Sequence, residues 1–511
     1  MNRQKTFSFT FLLAALALAS CSGPFKGGSA SGGGGGNATL SFTLIADTPP
    51  ASPSLLAFKV SINGVQIKPA SGSALTLTPA TPVIDLMRLE SDSAFLGSLS
   101  KVPAGIYTVQ VSLSNPAVSF LNNSSSTITA GSTTCTAGSV CTATLTATGN
   151  PTVSSFNLTV AASANQGVEL DFNLNSAISL SGGTLSVNFN PSASSPGVFS
   201  AFNLPRQNAN LGSNQLELLE DFTGVVSLGG SNVTVTSPVR GALTAVESSS
   251  SFFDASPDGM MCQTPASFSC AVNGQVASVD VFLNSDGTLA LKEYEPLTST
   301  AQDLVEGIVY NVTPGSSTQF SIVVTDKVQA ASGSLIGGLS TGDLLTVNLS
   351  SSPPVHPFLV DTKGLPVENS FSVSYNLFAT QTTTAAIHQG QSVALHVSAF
   401  TAASGRTLAS ATVDTVTLRW SRLIASVTGA ASTTQINVNT VPSYFGFTSA
   451  SIFPTEVFTG TLGADGVTNL DGIGSANSVN PSLPVGLRVL YLENSTNSSQ
   501  FPFMAAKIRQ Q

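Results

Sequence analysis

Charge is scarce in this chain. Of 511 residues only 9% are Asp, Glu, Lys or Arg, against about 25% in ordinary soluble domains. An all-helical protein would need many more Glu, Lys and Arg on its outward faces. Ser, Thr and Asn take that role here, and they suit the exposed faces of β-strands. Tryptophan occurs once and histidine three times. There is no G-x-S-x-G elbow, no H-E-x-x-H and no phosphate-binding loop, and the densest glycines lie in one tract, Gly32 to Gly36. A net charge of −9 without a basic stripe excludes nucleic acid as a partner. Beyond the first twenty residues no run reaches the roughly 18 apolar residues of a membrane helix.

What is present begins at the amino terminus. Arg3 and Lys5 form a charged head, Phe7 to Leu18 an apolar run, and small residues precede Cys21. This is the order of a secretory signal spanning residues 1–20. The Leu18-Ala19-Ser20-Cys21 ending resembles the bacterial lipobox, which implies lipidation of Cys21 and anchorage to a membrane. A cleaved ordinary signal with Cys21 incidental is the alternative. Ser22 after the acylated cysteine points, by analogy with Gram-negative lipoproteins, to the outer membrane or cell surface. Residues 21–37 then form a Gly/Ser-rich tether too poor in apolar surface to fold. Sixteen such residues span roughly 20–24 Å.

From Ala38 short alternating runs take over: Leu40 to Leu44, Phe58 to Ile62, Val65 to Ile67, Tyr107 to Val111 and Ser155 to Val160. Period two, with turn residues at Asn63-Gly64 and Pro103-Ala104-Gly105, predicts half-buried strands joined by hairpins. In Val168 to Leu174 the apolar residues share one face and leave Glu169, Asp171 and Asn173 on a face expected to meet water. Several such strands over residues 38–190 pack most economically as a two-sheet sandwich. Residues 191–218, rich in Pro, Ser, Asn and Gly, are expected to be a linker.

The remainder repeats itself. One unit (219–298) opens at Phe222-Thr223-Gly224-Val225-Val226 and closes at Val279 to Val281, a turn at Asp286-Gly287 and Leu289 to Leu291. A second (299–418) opens at Val305-Glu306-Gly307-Ile308-Val309 and closes at Val393 to Val397, a turn at Ser404-Gly405 and Leu408 to Ala411. A third (419–511) opens at Leu423 to Val427, without the glycine, and closes at Gly486 to Val489 and Met504 to Ile508. In the second unit Gly342 to Val347 looks like an additional closing strand. Short strands bent at glycine and sealed edge to edge predict three small closed barrels.

Two resemblances follow. Leu44-Ile45-Ala46-Asp47-Thr48-Pro49, Ile84-Asp85-Leu86 and Val102-Pro103-Ala104-Gly105-Ile106-Tyr107 resemble the family called domain of unknown function 4382, found in bacterial surface lipoproteins. That resemblance implies a transthyretin-like or immunoglobulin-like sandwich and no activity. The repeated glycine, alternating strand, turn and alanine-containing strand resemble a second uncharacterised family of repeated small barrels, domain of unknown function 5666.

Residues able to carry chemistry are few. His356, His388 and His396 have no ligand spacing; the last two would stand about 26 Å apart on one extended strand. Glu169 with Asp171, and Glu293 with Glu295, lie two apart on strands at roughly 7 Å, a spacing common on solvated faces and also open to glycosidase chemistry. Asp465, Asn469 and Asp471 gather in a glycine-bearing loop that could take calcium, though turn residues without metal are the preferred reading. Trp420 shares a face with Val416 and Leu418 and is expected in the core, and Tyr444-Phe445-Gly446-Phe447 is the best candidate for exposed aromatics. Cys135 with Cys141, and Cys262 with Cys270, form two close pairs. In an exported chain they suggest disulfides, of which the local pairing is the simplest of three, each worth about 2–3 kcal/mol. A metal site lacks both C-x-x-C spacing and a nearby histidine.

The sequence therefore predicts an all-β protein: tether, N-terminal sandwich, then three small barrels. It predicts a non-enzymatic, lipid-anchored envelope component without cofactor, contacting other envelope proteins. The alternative is a set of polysaccharide-binding modules.

Overall fold

The computed structural model describes residues 38–510 apart from 48, 80–82, 150–151, 191–196, 255–266, 299–301, 331, 352–357, 364, 366–377, 379–380, 429–431, 447–452, 460–465 and 493–502. Met1 to Asn37, and with them the signal, Cys21 and the tether, lie outside the described residues, as do His356, Asp465 and Cys262. The chain is all-β, its helices reduced to single turns. No helix among the described residues is long and apolar enough to cross a membrane.

Three sheets of the amino-terminal part contribute to one apolar core: a small sheet that includes Ile128–Ala130 and Thr184–Asn188, and two larger ones. The first of the larger two runs Phe199–Leu204, Asn165–Asn173, Ala38–Asp47, Ala94–Val102, with Ala38–Asp47 parallel to Asn165–Asn173. The second centres on two long strands, Ser54–Pro69 and Gly105–Leu121, paired antiparallel along nearly their whole length. Alternation sets the inward face: Val109, Val111 and Leu113 are buried, and Thr108, Gln110 and Ser112 between them are half-buried. Phe58 from one sheet meets Phe172 from the other with ring centroids 6.4 Å apart.

Asn63-Gly64, expected as a hairpin turn, instead sits inside the continuous strand Ser54–Pro69, whose register slips between Ile62 and Gly64. The extra residue is absorbed as a β-bulge because both flanks keep pairing with the same neighbour. Pro103-Ala104-Gly105 does turn, and the Tyr107 hydroxyl pins it by donating to the Pro103 carbonyl at 2.7 Å. Cys135 and Cys141 are joined in a disulfide with Cα atoms 5.9 Å apart. Cys270 is likewise disulfide-bonded. The segment read as a linker contributes the edge strand Phe199–Leu204, antiparallel to Asn165–Asn173.

Beyond Gln215 three six-stranded sheets repeat one topology. Their strands are Gln215–Gly229, Asn232–Ser237, Gly241–Val246, Phe252–Phe253, Val276–Asn284 and Leu289–Thr298 in the first sheet. The second uses Asp303–Val312, Gln319–Val328, Leu344–Leu349, Leu359–Val360, Ser392–Thr401 and Ala409–Arg419, and the third Ser421–Val427, Gln435–Thr440, Phe453–Val457, Asn469–Asp471, Val485–Tyr491 and Phe503–Arg509. In each the spatial order is third, second, first, fifth, sixth, fourth, and the third strand also pairs with the sixth. That parallel ladder has five residue pairs in the second sheet and three in the third, closing five-strand barrels; in the first it is the single bridge Val246↔Ala290. Gly342 to Val347 thus belongs to a strand that every sheet possesses, not an addition to one.

Closure explains the opening glycines. A Cβ at Gly224 would lie 2.2 Å from the Thr236 carbonyl oxygen, and one at Gly307 2.6 Å from that of Val323. The matching residue of the third sheet is Ala425, where the first two strands pair only through Ser426↔Thr440 and Val427↔Val438, so a methyl group fits. We expect Gly224→Ala and Gly307→Ala each to destabilise the protein by about 1–3 kcal/mol, and Ala425→Gly by at most about 1 kcal/mol. Urea denaturation would check this; equal midpoints for all three variants would contradict the tight approach.

Candidate functional site: a buried ionic hub

The few charges are mostly inside. The sequence has 18 Lys and Arg and 27 Asp and Glu; among the described residues seven basic and sixteen acidic side chains are buried. They occupy strand positions alternating with core residues: Asp280 between Val279 and Val281, Arg488 between Leu487 and Val489, Lys507 and Arg509 flanking Ile508. Successive residues of a strand point to opposite faces, so these charges lie on the face opposite their apolar neighbours and are buried there.

The centre is assembled around one short segment of the amino-terminal part. Asp85 accepts from the backbone amides of Phe58 (3.0 Å) and Met87 (3.1 Å), fixing the start of the 3-10 turn Arg88–Glu90. From that turn the Arg88 guanidinium reaches Glu306 at 3.2 Å, Asp326 at 3.5 Å and Asp221 at 3.7 Å. Asp92 receives Arg422 at 2.5 Å, Arg240 at 3.7 Å and Arg488 at 3.8 Å. The turn sits this deep because position 486 is glycine; a Cβ there would lie 2.1 Å from the Glu90 carbonyl oxygen.

Asp221 is the most heavily shared carboxylate. It occupies a register slip of its strand with φ +49°, a left-handed conformation that Asp tolerates better than most residues. The slip turns its side chain out of the ladder. Its oxygens accept from Arg419 and the Ser278 hydroxyl at 2.8 Å each, with Lys363 at 3.8 Å and Arg422 in close contact. Lys363 in turn holds Asp280 at 2.7 Å. A second cluster joins Glu220 to Arg488 (2.8 Å) and Lys507 (3.3 Å), and Asp471 to Arg509 (2.7 Å) and Lys507 (3.5 Å). Arg509 also donates to the Asp92 carbonyl at 2.8 Å and the Ser93 hydroxyl at 2.7 Å.

A repeated device underlies this. Strand registers make Glu295, Arg419 and Arg509 equivalent, and likewise Asp254, Asp361 and Asp471 at the fourth strand. In the second and third sheets the arginine grips its own aspartate, Arg419 with Asp361 and Arg509 with Asp471. The first sheet has Glu295 in the arginine's place, and Arg419 of the second sheet approaches it at 3.8 Å.

At several of these carboxyls burial favours the neutral form, and the local cations decide which yield. At Asp221 burial is outweighed by Arg419, Arg422, Lys363 and Arg88, leaving it well below the usual carboxylate range. Asp92, Asp280 and Asp471 are likewise held low against burial by their basic partners. Others lack enough cations. Burial, reinforced by Glu217, raises Glu169 to about 8, and burial raises Glu293 to about 8 despite Lys292. Asp326 rises to about 7 by burial against Arg88, and Glu295 rises well above its ordinary value.

Several sequence candidates meet here in unexpected roles. Glu169 and Asp171 do not face water: both are buried, with Arg206 3.2 Å from Glu169 and the Ser200 hydroxyl donating to Asp171. Glu293 and Glu295 are buried too, Glu293 beside Lys292 of its own strand and Glu295 near Arg419. Asn469 and Asp471 stand on a strand, not in a loop; the Asn469 amide donates to Glu220 at 2.5 Å. Among the described residues no cluster of acidic, His or Cys side chains has metal-holding geometry. His396 is buried with Nε2 3.4 Å from the Leu297 carbonyl, and His388 is half-buried. Trp420 is in the core with the Arg488 guanidinium 5.8 Å from its ring centroid, and Tyr444 and Phe445 are buried instead of exposed. Sequence reasoning missed Arg88, Asp92, Asp221, Arg419 and Arg488. The available signal was charge set among β-branched strand residues in a chain that has little charge to spend.

Asp221→Asn leaves buried cations unpaired and should cost about 3–5 kcal/mol. Glu293→Gln replaces a carboxyl that is already neutral at pH 7 and should cost under about 1 kcal/mol. Equal losses in urea titrations would contradict the assignment. Stability should also peak near pH 4–5. Above it, folded Glu169, Glu293 and Asp326 keep protons that the unfolded chain has released, so stability falls by up to about 1.4 kcal/mol per pH unit per group until pH reaches about 7–8. Below it, Asp92, Asp221, Asp280 and Asp471 remain ionised in the folded state while the unfolded chain takes up protons, and stability falls as pH drops. Scanning calorimetry from pH 3 to 9 reads this; a maximum above pH 8 would refute it.

No protein-family model matches the chain, and no curated protein or solved structure matches it either. The repeat rests on the chain's own evidence, three sheets with one strand order and equivalent residues at their outward faces.

Proposed function

We propose that this is an exported lipoprotein, held at the cell envelope through Cys21, whose modules form one stiff body that contacts other macromolecules without catalysing a reaction. The modules are an amino-terminal sandwich and three small barrels, in keeping with the resemblance to domains of unknown function 4382 and 5666. The observation that carries the reading is the cross-module ionic hub. Arg88 and Asp92 of the first module are gripped by residues of all three barrel sheets, and Arg419 spans two of them. Buried charges whose partners lie on other modules resist separation, because pulling one module away strands several ions in an apolar setting. Such a body suits a role as spacer or scaffold on a tether.

The partners of this reading are the membrane, through the acyl chains, and other envelope proteins. Metabolic labelling with an alkyne fatty acid should mark the wild type and leave Cys21→Ser unlabelled, with the labelled protein in the membrane fraction. Affinity capture from intact envelopes should then recover protein partners. An unlabelled wild type in the cytosol would overturn the proposal, and retention on insoluble glycans would favour a polysaccharide-binding role instead.

A further inference from the structure

A cleft of about 310 Å³ opens between the amino-terminal part and the third barrel sheet. Its walls are largely apolar: Pro49, Pro50 and Leu55 on one side, Ile424, Pro442 and Pro484 on the other. No Lys, Arg or His lines it, and its single carboxyl is Glu90. Glu90 is 1% exposed, and neither carboxyl oxygen has a hydrogen-bond partner of ordinary geometry. The same residue lines a second, water-sized cavity of about 20 Å³ shared with Asp85, Arg88, Arg422 and Tyr444.

An unpartnered carboxyl is expensive to bury, and this one is held in place by construction. Its backbone amide bonds to Met87 at 3.4 Å and its carbonyl packs on Gly486. The groups around it are unevenly charged. Asp85, at the head of the 3-10 turn, and Asp47, at the end of Ala38–Asp47, oppose its ionisation after burial itself, and the Ile424 amide is the group that favours it. Tyr444 faces it from the third sheet. Arg88 and Arg422 border the small cavity but are committed to Glu306, Asp326, Asp92 and Asp221. Glu90 thus lies beneath apolar walls as a buried acid with no cation of its own, and a cation small enough to enter would let it ionise.

We propose that this cleft binds a small organic ammonium ion, its charged head against Glu90 and its apolar body between the proline-lined walls. The volume lies at the lower end for ligand sites, which selects a compact amine. Ser54, Ser426 and Thr440 also line the cleft, and hydroxyl oxygens can accept from an ammonium N–H. On binding, Glu90 gives up its proton to solvent and pairs as a carboxylate with the ammonium; no other bond changes.

Calorimetric titration of the folded protein at pH 7 tests this with benzylammonium chloride, benzyl alcohol and sodium benzoate, run in phosphate and in MOPS, a zwitterion that carries no net positive charge. The amine should bind at least about tenfold more tightly than either isostere, equivalent to about 1.4 kcal/mol, and release close to one proton, read from the difference between buffers. Glu90→Gln should lose that preference while keeping the wild-type melting temperature. Should that variant not fold, Ser443→Trp, at the exposed mouth of the cleft, should block binding without touching Glu90. Benzyl alcohol binding as tightly as the amine, Glu90→Gln binding it unchanged, or no binding of the amine by a folded wild type up to roughly 10 mM, beyond weak affinity, would each overturn the proposal.

Discussion

The structure depends on the rule that an ion taken out of water must meet its counter-ion where it is buried. Asp221 makes the point. It sits at a register slip of the first barrel sheet, yet the groups that keep it ionised come from elsewhere in the chain: Arg88 from the amino-terminal part, Arg419 and Lys363 from the second sheet's sequence, Arg422 from the third. None of these elements can satisfy its charges alone, so each is incomplete until the others are in place. That is a different kind of cohesion from apolar docking, which tolerates sliding. An ionic hub fixes register because a displacement of a few ångströms leaves several charges without partners.

The same rule addresses a difficulty specific to repeated folds. Three sheets with one topology present similar strands and could associate in the wrong pairs. Their outward faces differ in sign. The first sheet brings Glu220, Asp221 and Asp280 to the hub, with Arg240 as its buried cation, and the third brings Arg422, Arg488, Lys507 and Arg509, with Asp471 as its buried acid. Two copies of either face would leave most of these ions without counter-ions. The substitution of Glu295 for the arginine found at the equivalent positions 419 and 509 is one of the differences that make the first sheet acidic. The hub therefore reads as much as a specificity device as a source of stability, since well-packed apolar residues can replace buried ion pairs without loss of stability.

Much of the fold was legible in the sequence. Alternation marked the strands through Val168, Leu170 and Phe172; Asp286-Gly287 and Ser404-Gly405 marked true turns; and the three closings marked the repeat. The polar faces were not legible, for a physical reason. Alternation distinguishes two faces of a strand but says nothing of what covers the polar one, and Glu169 and Asp171 would show the same pattern against water as against Arg206 and Ser200. Asn63-Gly64 misled for a related reason: the dipeptide favours a turn, but the pairing of its flanks with one neighbour decides between a turn and a bulge. The cleft beside Glu90 left no periodic trace, because its walls come from Pro49, Ile424 and Pro484, far apart in the chain.

Concentrating charge inside has a consequence for the outside. Among the described residues the fully exposed basic side chains are Lys68, Lys101 and Arg406; the rest of the polar surface is mainly hydroxyl and amide. Association through such a surface draws on neutral hydrogen bonds and shape, with little long-range steering, and salt has few exposed pairs to screen. The hub itself is shielded by burial, since close pairs in a low-dielectric setting are screened far less than surface ones. Both the cohesion of the body and its outward contacts should therefore respond weakly to ionic strength, while the cohesion, resting on buried titratable groups, should respond strongly to pH.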